Sequence, residues 1–171
     1  PALTWNPFKI NFQHFFLLCR DAWNTKYLSD KLTIWFRPTG WRPKGFDDLY
    51  PLHKIDDVYT FSKYKPALSK FQLYWGITHL FVVMFFLLDL FSRLSSLSFI
   101  YILIYGGYIF LTIYSLTDLM DKNKWNFLFE IIRFSFVVTI GLLIKTWFGL
   151  SNLFDVVFVY QTVALIISFV F

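Results

Sequence analysis

Apolar and polar positions follow three different rules along this chain. In residues 1–36, Phe12, Phe15, Phe16, Cys19 and Trp23 recur at three- and four-residue steps, with Gln13, Arg20, Asp21 and Asn24 on the other side. That is the pattern of an amphipathic helix. A second short helix is expected over 28–36, with Ser29 or Asp30 near its start. Such helices fit either the interface plane of a bilayer or packing against a soluble neighbour. Residues 37–66 follow no period. Pro38, Pro43, Pro51 and Pro66, with Gly40 and Gly45, forbid a long helix, and Asp47, Asp48, Asp56 and Asp57 keep the stretch polar. A connection this long is expected to be functional or to wrap something.

From Lys70 onward the pattern changes again. Stretches 71–91, 97–117, 127–147 and 153–171 are mostly apolar, and short polar breaks separate them. A bilayer core of roughly 30 Å needs about twenty helical residues, so each stretch is long enough to cross once. Backbone groups in lipid must bond internally, which leaves helices as the spanning form. The predicted fold is therefore all-α. It is an integral membrane helical bundle of about four transmembrane helices, preceded by amphipathic helices and a Pro-rich loop. Its predicted organisation is an interfacial segment at 1–36, a Pro-rich loop at 37–68 and a transmembrane region at 69–171.

Composition supports the change of solvent. Of 171 residues, 57% are hydrophobic and 23% aromatic, and only 16% are charged, against about 25% in soluble domains. A soluble protein of this size could not hide 23 phenylalanines. The charge is uneven: eleven of the sixteen Lys and Arg lie in residues 1–70. The first inter-span break holds only Arg93, whereas the second holds Lys122 and Lys124. The positive-inside rule then predicts that the N-terminal region, the second break and the C-terminus are cytosolic. Trp75, Trp125 and Trp147 fall near predicted span ends, where aromatic belts sit. The chain starts at Pro1, no signal peptide is readable, and an N-terminal part of a longer protein is expected. Lipid is the expected partner, and nucleic acid is not.

Candidate chemistry is sparse. Cys19 is the one cysteine, so no intrachain disulfide forms, and it reads as a small apolar helix residue. His14, His53 and His79 lie in three different segments, and no HxxH, HxxHH or HExxH spacing occurs. A helix offers two metal ligands on one face at i, i+3 or i+4, so metal ligation from this chain alone is not expected. There is no phosphate loop, no dinucleotide fingerprint and no readable triad. The polar residues inside the spans are more informative. His79 falls near the middle of the first span, and Glu130 and Arg133 share a face of the third at i, i+3. Asp121, nine residues before Glu130, is placed to join them at the interface. Asp89 and Asp155 are expected to reach water at the far boundary. Gly106-Gly107 suggests close helix approach, and Tyr101, Tyr105 and Tyr108 form a one-face stripe suited to packing and interhelical hydrogen bonds. In "FRPTGWRP", Arg37, Trp41 and Arg42 form a stiff cationic corner that can meet lipid phosphate or carboxylates of a neighbouring domain.

Three stretches carry a family resemblance. "TWNPFKINFQHF" and "WNTKYLSDKLTIWFRPTGWRP" resemble the segment that follows the catalytic core in the fatty acid hydroxylase/sterol desaturase superfamily, in particular its alkylglycerol monooxygenase-like members. "LMDKNKWNFLFEIIR" resembles their Asp-x8-Glu-x2-Arg arrangement, here Asp121, Glu130 and Arg133. The resemblance implies a di-iron lipid oxygenase whose metal is held by an eight-histidine set in HxxxH and HxxHH clusters. None of those clusters is in these residues, and His14 matches a position outside them. The implied role is then a non-catalytic C-terminal membrane region that anchors and packs against a catalytic half, with di-iron expected in that half and a lipid as substrate. The alternatives are a free-standing membrane interaction subunit and a small lipid carrier or transporter built around His79 and the Glu130–Arg133 pair.

Overall fold

The computed structural model describes residues 3–38, 40–51, 57, 59–60 and 62–170. His53 and Asp56 of the Pro-rich stretch, and Thr39 of its cationic corner, lie outside the described residues. The chain divides into two compact units, Pro1–Lys65 and Pro66–Phe171, and the first includes the Pro-rich stretch. Among the described residues the regular elements are all helical, with one isolated bridge between Trp147 and Leu150.

The first unit opens with α1, Pro7–Asn24. Asn6 caps it: its side chain accepts the N–H groups of Phe8 and Lys9 at 3.0 and 3.2 Å. Pro7 follows at the first helical position, where a missing N–H leaves nothing unpaired. Phe8, Phe12 and Phe16 run along one side, with successive ring centroids 4.5 and 6.5 Å apart, and that side stays exposed. The expected second helix is split. It is α2, Leu28–Thr33, followed by a 3₁₀ turn, Ile34–Phe36, whose Ile34 is buried. A four-residue helix, α3, covers Phe46–Leu49. Gly40 and Gly45 adopt φ of 86° and 73°, a region costly for residues with a Cβ, and each sits in a tight turn before the next element.

The second unit holds α4 (Lys70–Ser92), α5 (Phe99–Met120), α6 (Asn126–Leu143) and α7 (Ser151–Ser168). All four are long and apolar enough to cross a membrane. Ser69 and Gln72 form a reciprocal capping box at the start of α4, and Ser98 caps α5. Short connections make sequential neighbours pack: α4 on α5, α5 on α6, and α6 on α7. The fourth side differs, because no Cα of α4 comes within 8 Å of one in α7.

Several expectations are corrected at the far end of the bundle. The third span was predicted to run to Trp147, but α6 stops at Leu143. Lys145, Phe148 and Gly149 take positive φ, and the chain folds back as a tight loop. Trp147 is 0% exposed rather than part of an interfacial belt. Its ring lies 5.0 to 5.7 Å from those of Phe86, Tyr105 and Tyr108, filling the core from the end. Hydropathy cannot separate these cases, since an apolar loop that plugs a core scores like a helix that continues. Asp89 is not simply solvated either: it accepts from Tyr105 at 2.9 Å and pairs with Arg93, which also donates to the Phe148 carbonyl. Asp155 is exposed. Gly106 and Gly107 do not mark a close approach, because a Cβ at either would meet nothing within 4 Å. The close approach is at Gly141 of α6, where a Cβ would lie 2.4 Å from the Phe154 ring of α7.

Candidate functional site

All four spans contribute to one buried polar cluster. On α6, Glu130 and Arg133 face inward at i, i+3 and are 2% and 0% exposed. Arg133 Nη1 donates to Glu130 Oε1 and Oε2 at 2.6 and 2.8 Å. From α5, Ser115 donates to Glu130 and also contacts Asn126 at 3.3 Å. From α7, Gln161 Nε2 donates to Glu130 Oε2 at 2.8 Å, and its Oε1 accepts from Tyr108 at 3.0 Å. Arg133 Nη2 donates to the Tyr160 hydroxyl at 3.2 Å. The guanidinium carbon sits 5.6 Å from the ring centroids of both Tyr108 and Tyr160, a double cation–π contact.

His79 joins from α4. Its Nε2 is 3.2 Å from Arg133 Nη1 and 3.6 Å from Glu130 Oε1. Arginine carries only donors, so Nη1 donates to Nε2, which assigns the ring proton to Nδ1. Nδ1 is buried, and the Trp75 carbonyl one turn back lies beside it. The imidazole packs between the Trp75 and Tyr160 rings at 4.9 and 5.6 Å.

The energetic logic is compensation. One charged side chain at mid-span costs about 2.5–3.5 kcal/mol on insertion scales. Here a single negative and a single positive charge are in contact, and the carboxylate's remaining acceptor capacity is filled from two other helices. The arrangement holds α4, α5, α6 and α7 in one rotational register.

The expected residues are thus divided. His79, Glu130 and Arg133 meet. Asp121 forms the C-cap of α5, and the hydrogen bonds holding Glu130 come from Ser115, Arg133 and Gln161 instead. The buried carboxylate of that region is Asp118, one turn earlier, which accepts from Asn123 Nδ2 at 2.7 Å. Sequence reasoning missed Ser115, Asn126, Tyr160 and Gln161. A signal was present for Gln161: it is the amide inside the fourth apolar stretch, and a polar group at that depth needs a partner.

The cationic corner resolves differently. Arg42 is turned inward, with its side chain 5% exposed. Its Nε and Nη2 donate to Asp21 Oδ2 at 2.9 and 2.6 Å, and Nη1 donates to Asp47 Oδ1 and the Tyr50 carbonyl at 2.6 Å each. Burial opposes its charge, but the bonds to Asp47 and Asp21 outweigh burial and raise its pKa further above the ordinary arginine value. Lipid phosphate is therefore not what Arg42 meets; it staples α1 to α3 within the first unit. Arg37 stacks on Trp41 at 5.3 Å.

The donor set does not fit a di-iron centre. His79 is engaged with Arg133, His14 lies on α1, and among the described residues no three His, Cys, Asp or Glu converge on a common point.

Three comparisons bear on kinship. No family model matches the chain. No solved structure matches it. Among curated proteins, the alkylglycerol monooxygenase of Xenopus tropicalis is 30% identical over 134 residues. That stretch covers 78% of this chain and 30% of the relative, so the chain spans about a third of the length of the curated protein to which it is similar.

Proposed function

We propose that this chain is the non-catalytic, C-terminal membrane region of a lipid oxygenase of the fatty acid hydroxylase/sterol desaturase superfamily, of the alkylglycerol monooxygenase type. It anchors that enzyme in the bilayer and packs against a catalytic half that carries the histidine clusters and the iron. The carrying observation is the 30% identity to an alkylglycerol monooxygenase over most of these residues. Four apolar helices of spanning length support the anchoring role. The lack of histidine clusters in this sequence supports placing the oxygen chemistry in the other half. The Arg42 staple supports the reading of the Pro-rich corner as a rigid joint at which that half would end.

The test is to read the adjoining coding sequence for HxxxH and HxxHH clusters, then express this chain with and without them. The longer protein is expected to bind iron and oxidise an alkylglycerol, and this chain alone to do neither. Stoichiometric iron bound by the 171-residue chain alone overturns the reading.

A second reading, a small lipid carrier, is favoured by one observation: an ion pair and a histidine buried inside the spans. It requires His79→Ala to abolish lipid flux in vesicles. The anchoring reading requires only a modest loss of stability in that variant.

A further inference from the structure

Asp21 is the one acid on α1, and the tertiary fold takes it off the helix surface. Its side chain is 9% exposed and is held by Arg42 at 2.6 Å, with Arg20 beside it at 3.3 Å. Arg20 keeps half of its own side chain exposed. The outward charge of α1 is therefore cationic. It is carried by Lys9 and Arg20, which fall within about 20° of each other around the helix.

Beside that cationic edge runs a face without a polar residue. Phe8, Phe12, Phe15, Phe16, Cys19 and Trp23 share one arc of about 100°. Phe15 and Phe16 are 50% and 51% exposed, and Trp23 is 81% exposed. The 3₁₀ turn extends the face, because the half-buried Trp35 ring lies 6.1 Å from that of Phe15.

We propose that this face of α1 is a docking surface for the headgroup region of a bilayer containing anionic lipid, with the helix lying flat and its aromatic side down. Three observations favour that occupant. The first is charge. With Asp21 withdrawn by Arg42, no acid on α1 faces outward. A second copy offers only the same cationic edge, whereas a phosphatidylserine surface supplies the opposite charge.

The second is composition. Phe and Trp on one face, with Lys and Arg at its edge, are what a helix in the interface plane presents. From Phe8 to Trp23 the face is about 22 Å long. α1 is not among the helices apolar enough to cross a membrane, so it lies on the bilayer and does not span it.

The third is tethering. Residues 66–69 alone separate the first unit from α4. Fully extended, they reach no more than about 14 Å. That linker keeps a bilayer surface at high effective concentration for the first unit. None of this depends on the oxygenase reading.

The test uses the full chain with Cys19→Ser and, one at a time, Phe8→Cys, Ile10→Cys, Phe12→Cys, Gln13→Cys, His14→Cys and Phe16→Cys. Each cysteine carries a nitroxide, and the chain sits in nanodiscs of phosphatidylcholine and phosphatidylserine. Oxygen gathers in hydrocarbon and a nickel chelate stays in water, so the ratio of their collision rates with the nitroxide reads depth. That ratio is expected to be several-fold higher at positions 8, 12 and 16 than at 10, 13 and 14. Omitting phosphatidylserine is expected to lower it at position 12 about twofold, because cations near an anionic surface add to binding. Equal ratios around the helix overturn the proposal, as does a ratio that ignores phosphatidylserine. Nitroxides on the aromatic face that are shielded from both reagents also overturn it, since they mark a protein occupant. Native Cys19, on the same face, gives the reading in the unsubstituted chain even if a variant does not fold. The longer protein with the adjoining coding sequence is expected to give the same map. Shielding of the face in that protein overturns the proposal in favour of the catalytic half.

Discussion

Glu130 and Arg133 sit at the centre of the buried polar cluster, and removing one or both separates charge effects from packing. Glu130→Ala leaves a fully buried guanidinium without its carboxylate, which is expected to cost about 3–5 kcal/mol. The double variant Glu130→Gln/Arg133→Met removes both charges and keeps volume, so it is expected to cost less than Glu130→Ala alone. Unfolding of the reconstituted chain by a denaturing detergent measures both; equal losses would show that the charge pair is not what is being broken. In the first unit, Arg42→Ala removes four donated hydrogen bonds. It is expected to lower stability by roughly 1.5–3 kcal/mol, read as faster proteolysis between α1 and α3. Arg42→Lys is not expected to restore it, because an ammonium cannot span Asp21 and Asp47 with a planar fork.

Helix contacts turn on glycines, and the positions in this chain behave oppositely. Gly141 faces Phe154 with no room for a methyl group. Gly141→Ala is therefore expected to spread α6 and α7 and to cost about 1–3 kcal/mol by overpacking. Gly106 meets nothing, so Gly106→Ala is expected to stabilise α5 by roughly 0.5–1 kcal/mol through helix propensity. The same unfolding assay gives both, and a reversed order would contradict the packing described here. The pairing Gly106-Gly107 was legible in the sequence as a small-residue motif. What it touches was not, because rotation of a helix about its own axis does not alter its composition. The same holds for α6, whose apolar continuation past Leu143 reads as helix until Lys145 and Phe148 turn left-handed.

For the whole molecule, four spans place the α4–α5 and α6–α7 connections on one side of the bilayer and the α5–α6 connection on the other. With Cys19 replaced by serine, single cysteines at Ser95 and Asn152 are expected to react from one side, and one at Asn123 from the other. The excess of Lys and Arg before α4 further predicts that Asn123 is the cytosolic position. An impermeant thiol reagent applied to intact and opened cells reads this directly. Ser95 and Asn123 reacting from the same side would remove at least one span.

The sequence by itself determined the apolar solvent of the second half, its four stretches of spanning length and the asymmetry of charge. Those are sums over a segment's own residues, and a sum survives without knowing any neighbour. It also announced His79, Glu130 and Arg133, because an ionisable group in an apolar run demands a partner wherever that partner lies. Only the tertiary structure decided who the partners are. Ser115 and Gln161 complete the carboxylate's bonds while Asp121 caps α5, and Arg42 is held by Asp21 from twenty-one residues away. It alone left the seam between α4 and α7 open. Pair identity and helix rotation are relations between segments, and free energy fixes them only once the segments are packed together.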